Sequence, residues 1–425
     1  MDTIYAVSSG APPSAIAVLR LSGAGAFAAV TALAGYLPAP RRAALRALRA
    51  VDGELLDRAL VLIFPGPDST TGEDIAELHL HGGRAVIRAV EAALAIMPGL
   101  RQAEPGEFTR RALANGRIDL SEAEGLGDLL MAETEAQRRA AIRSAEGAVR
   151  REVEGWAARV LAVAAHAEAL LDHADEDDVA TADPLPALQA AAAALAREIE
   201  SVVARPPVER LRDGIRIVLA GPPNAGKSTL LNALAERDAA IVSPIAGTTR
   251  DRIEVPVVRG GVAYLLIDTA GLTEAPGDAI EAIGIARAHA ALAEADLVLW
   301  LGDRGAPAGA IAVHARADTP GRENGPSDRL QISAATGEGL NALWAAIDRA
   351  AHALLPPTDA VALNQRQRTL SGTAAQSLHH AAAEQDLLLF AEHLRTARRA
   401  FDAITGRADV EAMLDTLFAH FCIGK

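Results

Sequence analysis

The octapeptide Gly221-Pro222-Pro223-Asn224-Ala225-Gly226-Lys227-Ser228 fits the pattern G-x-x-x-x-G-K-[ST]. The apolar run Ile215 to Ala220 precedes it, and helix formers follow from Thr229. Such a loop works where a strand hands over to a helix: glycines let backbone N–H groups converge on phosphate oxygens, and the helix N-terminus adds partial positive charge. The stretch from Gly214 to Leu355 is therefore predicted to hold a parallel sheet with crossover helices. Ala263 to Ile267, Asp296 to Leu301 and Leu330 to Ile332 supply its further strands. Within it, Lys227 is expected to hold β- and γ-phosphate oxygens and Ser228 a Mg2+ ion, with Asn224, Ala225, Gly226 and Thr229 in the nucleotide site.

The rest of the chain differs in character. The first hundred residues alternate strand-type runs (Thr3 to Val7, Ala15 to Leu21, Ala59 to Phe64, Ala76 to His81) with helix-type runs near Ala24 to Ala34 and Arg84 to Met97, an α+β pattern. Ser121-Glu122-Ala123-Glu124 matches a capping box and opens a helical run reaching about Asp172. Acidic Asp175 to Asp178 reads as a solvated interhelical loop. An Ala-rich helix from Leu188 to about Ala204 ends ahead of Pro206-Pro207, and beyond Pro356-Pro357 helix formers resume from Asn364 to His420. Two helical flanks around an α/β unit point to an insertion. The predicted architecture is multidomain: an α+β domain over 1–118, an all-α domain in two parts, 119–212 and 356–425, and an inserted α/β domain over 213–355.

Three elements downstream of the phosphate loop suit a guanine nucleotide. Gly247-Thr248-Thr249-Arg250-Asp251 offers a hydroxyl for the second magnesium position. Asp268-Thr269-Ala270-Gly271 ends an apolar strand, putting Asp268 near the metal and the Gly271 N–H near the γ-phosphate. Ser333-Ala334-Ala335 ends another, where a backbone N–H can meet guanine O6. The base-reading element departs from the usual Asn-Lys-x-Asp and reads Ala315-Arg316-Ala317-Asp318. The carboxylate that accepts from guanine N1–H and N2–H is kept, and adenine has no N1 donor, so Asp318 alone favours guanine. The missing asparagine removes a neutral hydrogen bond worth about 0.5–1.5 kcal/mol, roughly tenfold in affinity at the upper end. Arg316 can still lay its stem against the base.

Leu272 stands where many such enzymes orient water with Gln, and leucine cannot polarise water. Glu281, ten residues beyond Gly271, either takes that task or is an ordinary helix glutamate. No arginine finger is evident, and Asn224 offers a neutral oxygen suited to a monovalent cation, so K+ activation is expected.

A net charge of −14 over 425 residues argues against a broad basic nucleic-acid surface. Arg41, Arg42, Arg46 and Arg49 form a small basic cluster that either touches phosphate or solvates a helix. With 50% hydrophobic but only 3% aromatic residues, closely packed Ala-rich helices are expected. The single cysteine, Cys422, excludes an intramolecular disulfide and fits a reducing cytoplasm. With no basic leader and no apolar stretch of about 18 residues, a soluble cytoplasmic protein without a membrane partner is expected. Glu77 and His79 alternate with Ala76 and Leu78 and share a polar strand face. His79 and His81 have metal-holding spacing but no evident third ligand.

Further motifs are Thr71-Gly72-Glu73-Asp74, His81-Gly82-Gly83, Pro105-Gly106-Glu107-Phe108-Thr109, Ile245 to Asp251 and the terminal Phe421-Cys422-Ile423-Gly424-Lys425. With the phosphate loop they make the chain resemble, over essentially its whole length, the MnmE (TrmE) family of tRNA uridine-5-carboxymethylaminomethyl modification GTPases. The resemblance implies an N-terminal folate-binding and dimerising domain, a discontinuous helical domain and an inserted GTPase domain. It implies addition of a carboxymethylaminomethyl or aminomethyl group to C5 of wobble uridine 34 in certain tRNAs. GTP would also meet Ser243, Pro244, Ile245, Ala246, Gly247, Thr248 and Thr249. Asn224, Ser243, Ile245 and Thr248 would ligate K+, and Ser228 and Thr249 would ligate Mg2+, while Glu281 falls at the family's catalytic glutamate.

By the same resemblance, 5,10-methylenetetrahydrofolate or a 5-formyltetrahydrofolate analogue would be held by Arg20, Glu77, Arg117 and Lys425, with Arg117 replacing the lysine often found there. Cys422 would point into the folate-proximal site and matter for modification. The implied partners are a second copy through the N-terminal domain, tRNA, and the flavoprotein MnmG (GidA) in a heterotetramer. The alternatives are a regulatory switch GTPase binding ribosomal or other proteins without nucleoside chemistry, which has no reason to carry the N-terminal domain or the Cys422 tail, and a generic nucleotidase made promiscuous by Ala315, told apart by comparing GTP and ATP turnover.

Overall fold

The computed structural model describes residues 2–172, 184–237, 253–269, 290–357 and 360–407, with Phe418, Phe421 and Gly424. Two compact units emerge: Met1–Gly127 with Ala145–Val153 and Asp402–Lys425, and Asp128–Ser144 with Glu154–Phe401. The first unit extends past residue 118 and takes in the C-terminal residues because Phe418 packs on Gly106 and Phe421 on Gly127.

In the first unit β1 (Thr3–Val7), β2 (Ile16–Ser22), β3 (Ala44–Arg49), β4 (Leu55–Phe64), β5 (Ile75–His81) and β6 (Leu100–Gln102) form one sheet in the order β3-β4-β5-β2-β1-β6. Strand alternation sorts the side chains. Ala17, Leu19 and Leu21 of β2 and Ala76, Leu78 and Leu80 of β5 are buried in one core with α1 (Ala26–Ala34) and α2 (Arg84–Ala95). Arg20, Glu77 and His79 belong to the less buried set, and the β2–β5 register sets Arg20 opposite Glu77. The arginine cluster is not helical. Arg46 and Arg49 lie on edge strand β3, because β4 offers a free edge whose pairing overrides the helix propensity of Ala-Leu-Arg. Arg46 stacks over Tyr36, 4.1 Å from the ring centroid.

After α3 (Glu107–Ala114) comes α4 (Leu120–Met131), whose capping box lies two residues earlier than the sequence pattern suggests. Asp119 Oδ1 accepts from the Glu122 N–H at 2.8 Å, and Glu122 Oε2 from the Asp119 N–H at 2.7 Å. The expected single helical run to Asp172 is three helices: α4, α5 (Glu135–Ala145) and α6 (Ala148–Asp172). Thr134 caps α5 through its Oγ1 to the Gln137 N–H at 3.2 Å, and Gly147, at φ +79°, breaks the chain before α6.

The second unit contains α7 (Leu185–Val203), α8 (Glu209–Arg212), β7 (Ile215–Ala220), α9 (Lys227–Arg237), β8 (Ile253–Arg259), β9 (Val262–Asp268), β10 (Leu297–Trp300), β11 (Ile311–His314), β12 (Leu330–Gln331), α10 (Leu340–Leu354), α11 (Gln365–Ala383) and most of α12 (Leu387–Thr405). Its sheet runs β12-β11-β10-β7-β9-β8, parallel except for the β8–β9 hairpin. Pro256 fits β8 because β8 is an edge strand. Trp344 and Tyr264 meet in the core with ring centroids 5.4 Å apart. The chain enters and leaves the α/β part through bonded segments: the Val208 N–H donates to Leu363 O at 3.3 Å and the Gln365 N–H to Glu209 Oε1 at 2.6 Å. On either side of that part, α7 and α11 pack together, with Gln189 Nε2 donating to Glu384 O and His379 paired with Glu200. Asp386 Oδ1 accepts from the Leu388 and Leu389 N–H groups and starts α12, splitting the helix expected over 364–420. Among the described residues no helix is long and apolar enough to cross a membrane.

Candidate functional site

Gly221 and Gly226 bend the loop between β7 and α9 at φ +146° and +94°, conformations that L side chains resist. A Cβ on Gly221 would also press on the Leu301 backbone at 3.2 Å. Asn224 stands at φ +59°, which asparagine tolerates. Lys227 is only 7% exposed and folds back so that Nζ donates to the Gly221 and Pro222 carbonyls, each at 3.1 Å. Burial lowers its pKa, opposed by the nearby Asp268 charge. Ser228 Oγ donates to Asp268 Oδ2 at 2.5 Å, at the buried end of β9. Thr269 Oγ1 donates to Leu219 O at 2.8 Å and ties β9 to β7. This hydroxyl and carboxylate fit Mg2+, which takes oxygen ligands, and the lysine within a cradle of N–H groups fits a polyphosphate.

A cavity of about 990 Å³ opens beside the loop, with Trp300, Ala315, Arg316, Asp318, Thr319, Ala334 and Ala335 on its other walls. The Asp318 carboxyl is held below the usual carboxylate range, first by the hydrogen bond from the Ser333 side chain, then by its own N–H and the Arg316 charge. It therefore stands ionised, an acceptor for two N–H groups. Arg316 holds φ +62° and donates from Nη1 to Asn224 O at 3.2 Å, tying the loop after β11 to the loop between β7 and α9. Ser333 is buried. Its N–H donates to Glu338 O at 3.0 Å and its Oγ accepts from the Thr336 N–H, so Ala334 and Ala335, not Ser333, face the cavity. Sequence reasoning missed Trp300 and Thr319. Trp300 ends β10, and the carboxyl ends of parallel strands are where open α/β sheets bind ligands, whereas Thr319 lies in the loop after β11 and carried no such signal.

In the first unit Arg20 binds Glu77 Oε1 through Nη2 at 2.8 Å and Nε at 3.1 Å, and its guanidinium lies 5.9 Å from the Phe108 ring centroid. Arg117 lies against Gly72, where a Cβ would come 3.3 Å from its Cγ. The Thr71-Gly72-Glu73 loop is held by Asn115 Nδ2 to Thr71 O and by Glu73 to Ser22 and Arg111. His79 pairs with Glu77 at 3.4 Å and His81 with Asp57 at 2.7 Å, and the described residues contain no group of three or more His, Cys, Asp or Glu able to hold a metal. The C-terminal residues reach the same unit. Phe418 and Phe421 stack at 5.5 Å, and Gly424, at φ +95°, sits so close to β1 that a Cβ would lie 2.3 Å from Val7 O. Ser243, Pro244, Ile245, Ala246, Gly247, Thr248, Thr249, Ala270, Gly271, Glu281, Cys422 and Lys425 lie outside the described residues, as does Asp175 to Asp178.

A glycine-bent loop between a parallel strand and a helix, with a buried lysine, a serine–aspartate pair and the Asp318 carboxyl around one cavity, defines a P-loop nucleotide-binding protein of the G-domain type. Residues 3–117 match the family model described as GTP-binding protein TrmE N-terminus, and residues 120–422 match the MnmE helical domain. The tRNA modification GTPase MnmE of Erythrobacter litoralis is 58% identical over 427 residues, covering 100% of both chains. That of Rhizorhabdus wittichii is 59% identical, covering 100% of this chain and 97% of its own. The chain belongs to the MnmE family of tRNA modification GTPases.

Proposed function

We propose that this chain is a K+-stimulated GTPase that, with a flavoprotein partner of the MnmG (GidA) kind, adds a carboxymethylaminomethyl or aminomethyl group to C5 of wobble uridine 34 in certain tRNAs, in the cytoplasm. The observation that carries the nucleotide half is the convergence of Lys227, the Ser228–Asp268 pair and Asp318 on one cavity. Lys227 and the loop N–H groups hold the triphosphate, Ser228 and Thr249 hold Mg2+, and Asn224, Ser243, Ile245 and Thr248 hold K+. Glu281 positions the attacking water.

The one-carbon half uses tetrahydrofolate, held by Arg20, Glu77, Arg117 and Lys425 and used beside Cys422. The Arg20–Glu77 pair fits such a ligand: a carboxylate accepts from aminopyrimidine N–H groups while a guanidinium meets carboxylate. Two copies pair through the N-terminal domain. By sequence the domains run 1–118, 119–212 with 356–425, and 213–355, a division by chain order that differs from the two compact units at 119–127, 145–153 and 402–425, and the bonds joining Val208 to Leu363 and Glu209 to Gln365 support an insertion. Turnover in KCl and in NaCl at equal ionic strength tests the cation, equal rates removing it. Mass spectrometry of wobble nucleosides from cells lacking the gene tests the reaction, and unchanged nucleosides remove it.

A further inference from the structure

His314 ends β11, is 4% exposed, and directly precedes Ala315-Arg316-Ala317-Asp318. Both of its ring nitrogens are engaged: Nδ1 lies 2.7 Å from Asp303 Oδ1, and Nε2 lies 2.9 Å from the Arg322 carbonyl oxygen. The Arg322 side chain returns over the same ground. Its Nη2 is 3.1 Å from Asp303 Oδ2, and its Nε donates to Ala315 O at 3.2 Å. The Gly325 backbone packs on the imidazole so closely that a Cβ there would come 2.5 Å from the ring. Burial would raise the Asp303 carboxyl pKa, but the His314 hydrogen bond and the Arg322 charge hold it down.

None of these three side chains lines the nucleotide cavity. The residues between the two anchors do: Ala315, Arg316, Asp318 and Thr319 all face it. His314 fixes the start of that loop and Arg322 its end, both against Asp303, while turns from Thr319 N–H to Arg316 O and from Arg322 N–H to Thr319 O fold it between. Arg316 at φ +62° is a conformation that persists only when its surroundings enforce it. Ala315 brings no side-chain hydrogen bond of its own.

We propose that Asp303, His314 and Arg322 are positioning residues for guanine specificity: they close the 315–321 loop and fix where the Asp318 carboxylate stands, work that alanine at 315 does not do. The proposal rests on the guanine-nucleotide reading of the cavity. Inosine triphosphate lacks the 2-amino group of guanine, so the affinity ratio of GTP to inosine triphosphate reports how well Asp318 meets the base. The wild-type chain is expected to prefer GTP by about tenfold or more. In Arg322→Ala and Asp303→Ala the ratio falls to within about threefold of one, and Arg322→Lys, which keeps charge but not the two-point reach, does not restore it. Inorganic triphosphate binding is unchanged in all three. A wild-type ratio in both alanine variants overturns the proposal, as does loss of triphosphate binding in step with GTP binding. A wild-type chain that binds triphosphate but shows no preference for GTP overturns the guanine reading itself, and the proposal with it.

Discussion

Replacing Phe421 with alanine separates the two halves of the proposed reaction. Phe421 is 8% exposed, stacks on Phe418, and meets Gly127, where a Cβ would lie 3.1 Å from the ring. Removing a buried phenyl costs about 3–5 kcal/mol where the site does not collapse. At a chain end that cost falls on docking of the last residues before it reaches the global fold. About 3 kcal/mol shifts the docking equilibrium roughly a hundredfold. Phe418, 1% exposed and capped by Arg110 at 5.5 Å from its centroid, keeps its own packing on Gly106. The expected result is GTP turnover within about twofold of wild type and wobble-uridine modification down by at least about tenfold, read by nucleoside mass spectrometry in complemented cells. Gly424→Ala should give the same outcome by steric clash with Val7 O. If both variants modify tRNA normally, the docked tail has no part in the chemistry. If GTP turnover falls in parallel with modification, the two halves are not separable in this way.

Asp318→Asn turns an N–H of the amide toward guanine but presents a donor to the O2 of xanthine, so GTP affinity falls by about tenfold or more while xanthosine triphosphate affinity rises. Equilibrium binding of the two nucleotides checks it. Ser228→Ala is expected to leave nucleotide binding in EDTA unchanged while removing its enhancement by Mg2+, measured by titration with and without the metal. Burial alone would raise the Glu107 carboxyl pKa, but hydrogen bonds from Arg101, the Glu104 N–H and Arg111 outweigh it and hold the group below its ordinary 4.5. A depressed carboxyl contributes stability that is fully present above 4.5 and is lost as pH falls through the folded value. Acid denaturation of Glu107→Gln should therefore show a weaker loss of stability below pH 4.5 than wild type, and parallel curves would refute this.

Much of the fold was legible in the sequence, the short edge strand β12 included, but the internal strand β11 and three of the edge strands were not. Ile215 to Ala220 reads as β7 to the residue because, Arg216 apart, it is apolar on both faces, as a strand in the middle of a parallel sheet is. Edge strands carry weaker signals. β3 hides behind repeated Ala-Leu-Arg, β8 behind Pro256, and β6 is three residues long, yet all three are edges whose pairing supplies what the pattern lacks. The breaks at Thr134 and Gly147 were masked by continuous helix formers, since a side-chain cap or one positive-φ glycine leaves little trace in periodicity. In the site, Lys227, Ser228 and Asp268 came together as their motifs require. The Asp303–His314–Arg322 cluster carries no motif, and its trace was a histidine ending the otherwise apolar Ile311-Ala312-Val313 run.

The most direct measurement is GTP retention and hydrolysis by the purified full chain in potassium buffer with Mg2+, with Lys227→Met beside it. The wild-type chain should bind GTP, split it, and prefer it to ATP, while Lys227→Met falls to background. A wild-type chain that neither retains nor splits GTP, or a Lys227→Met variant that matches it, would contradict the account.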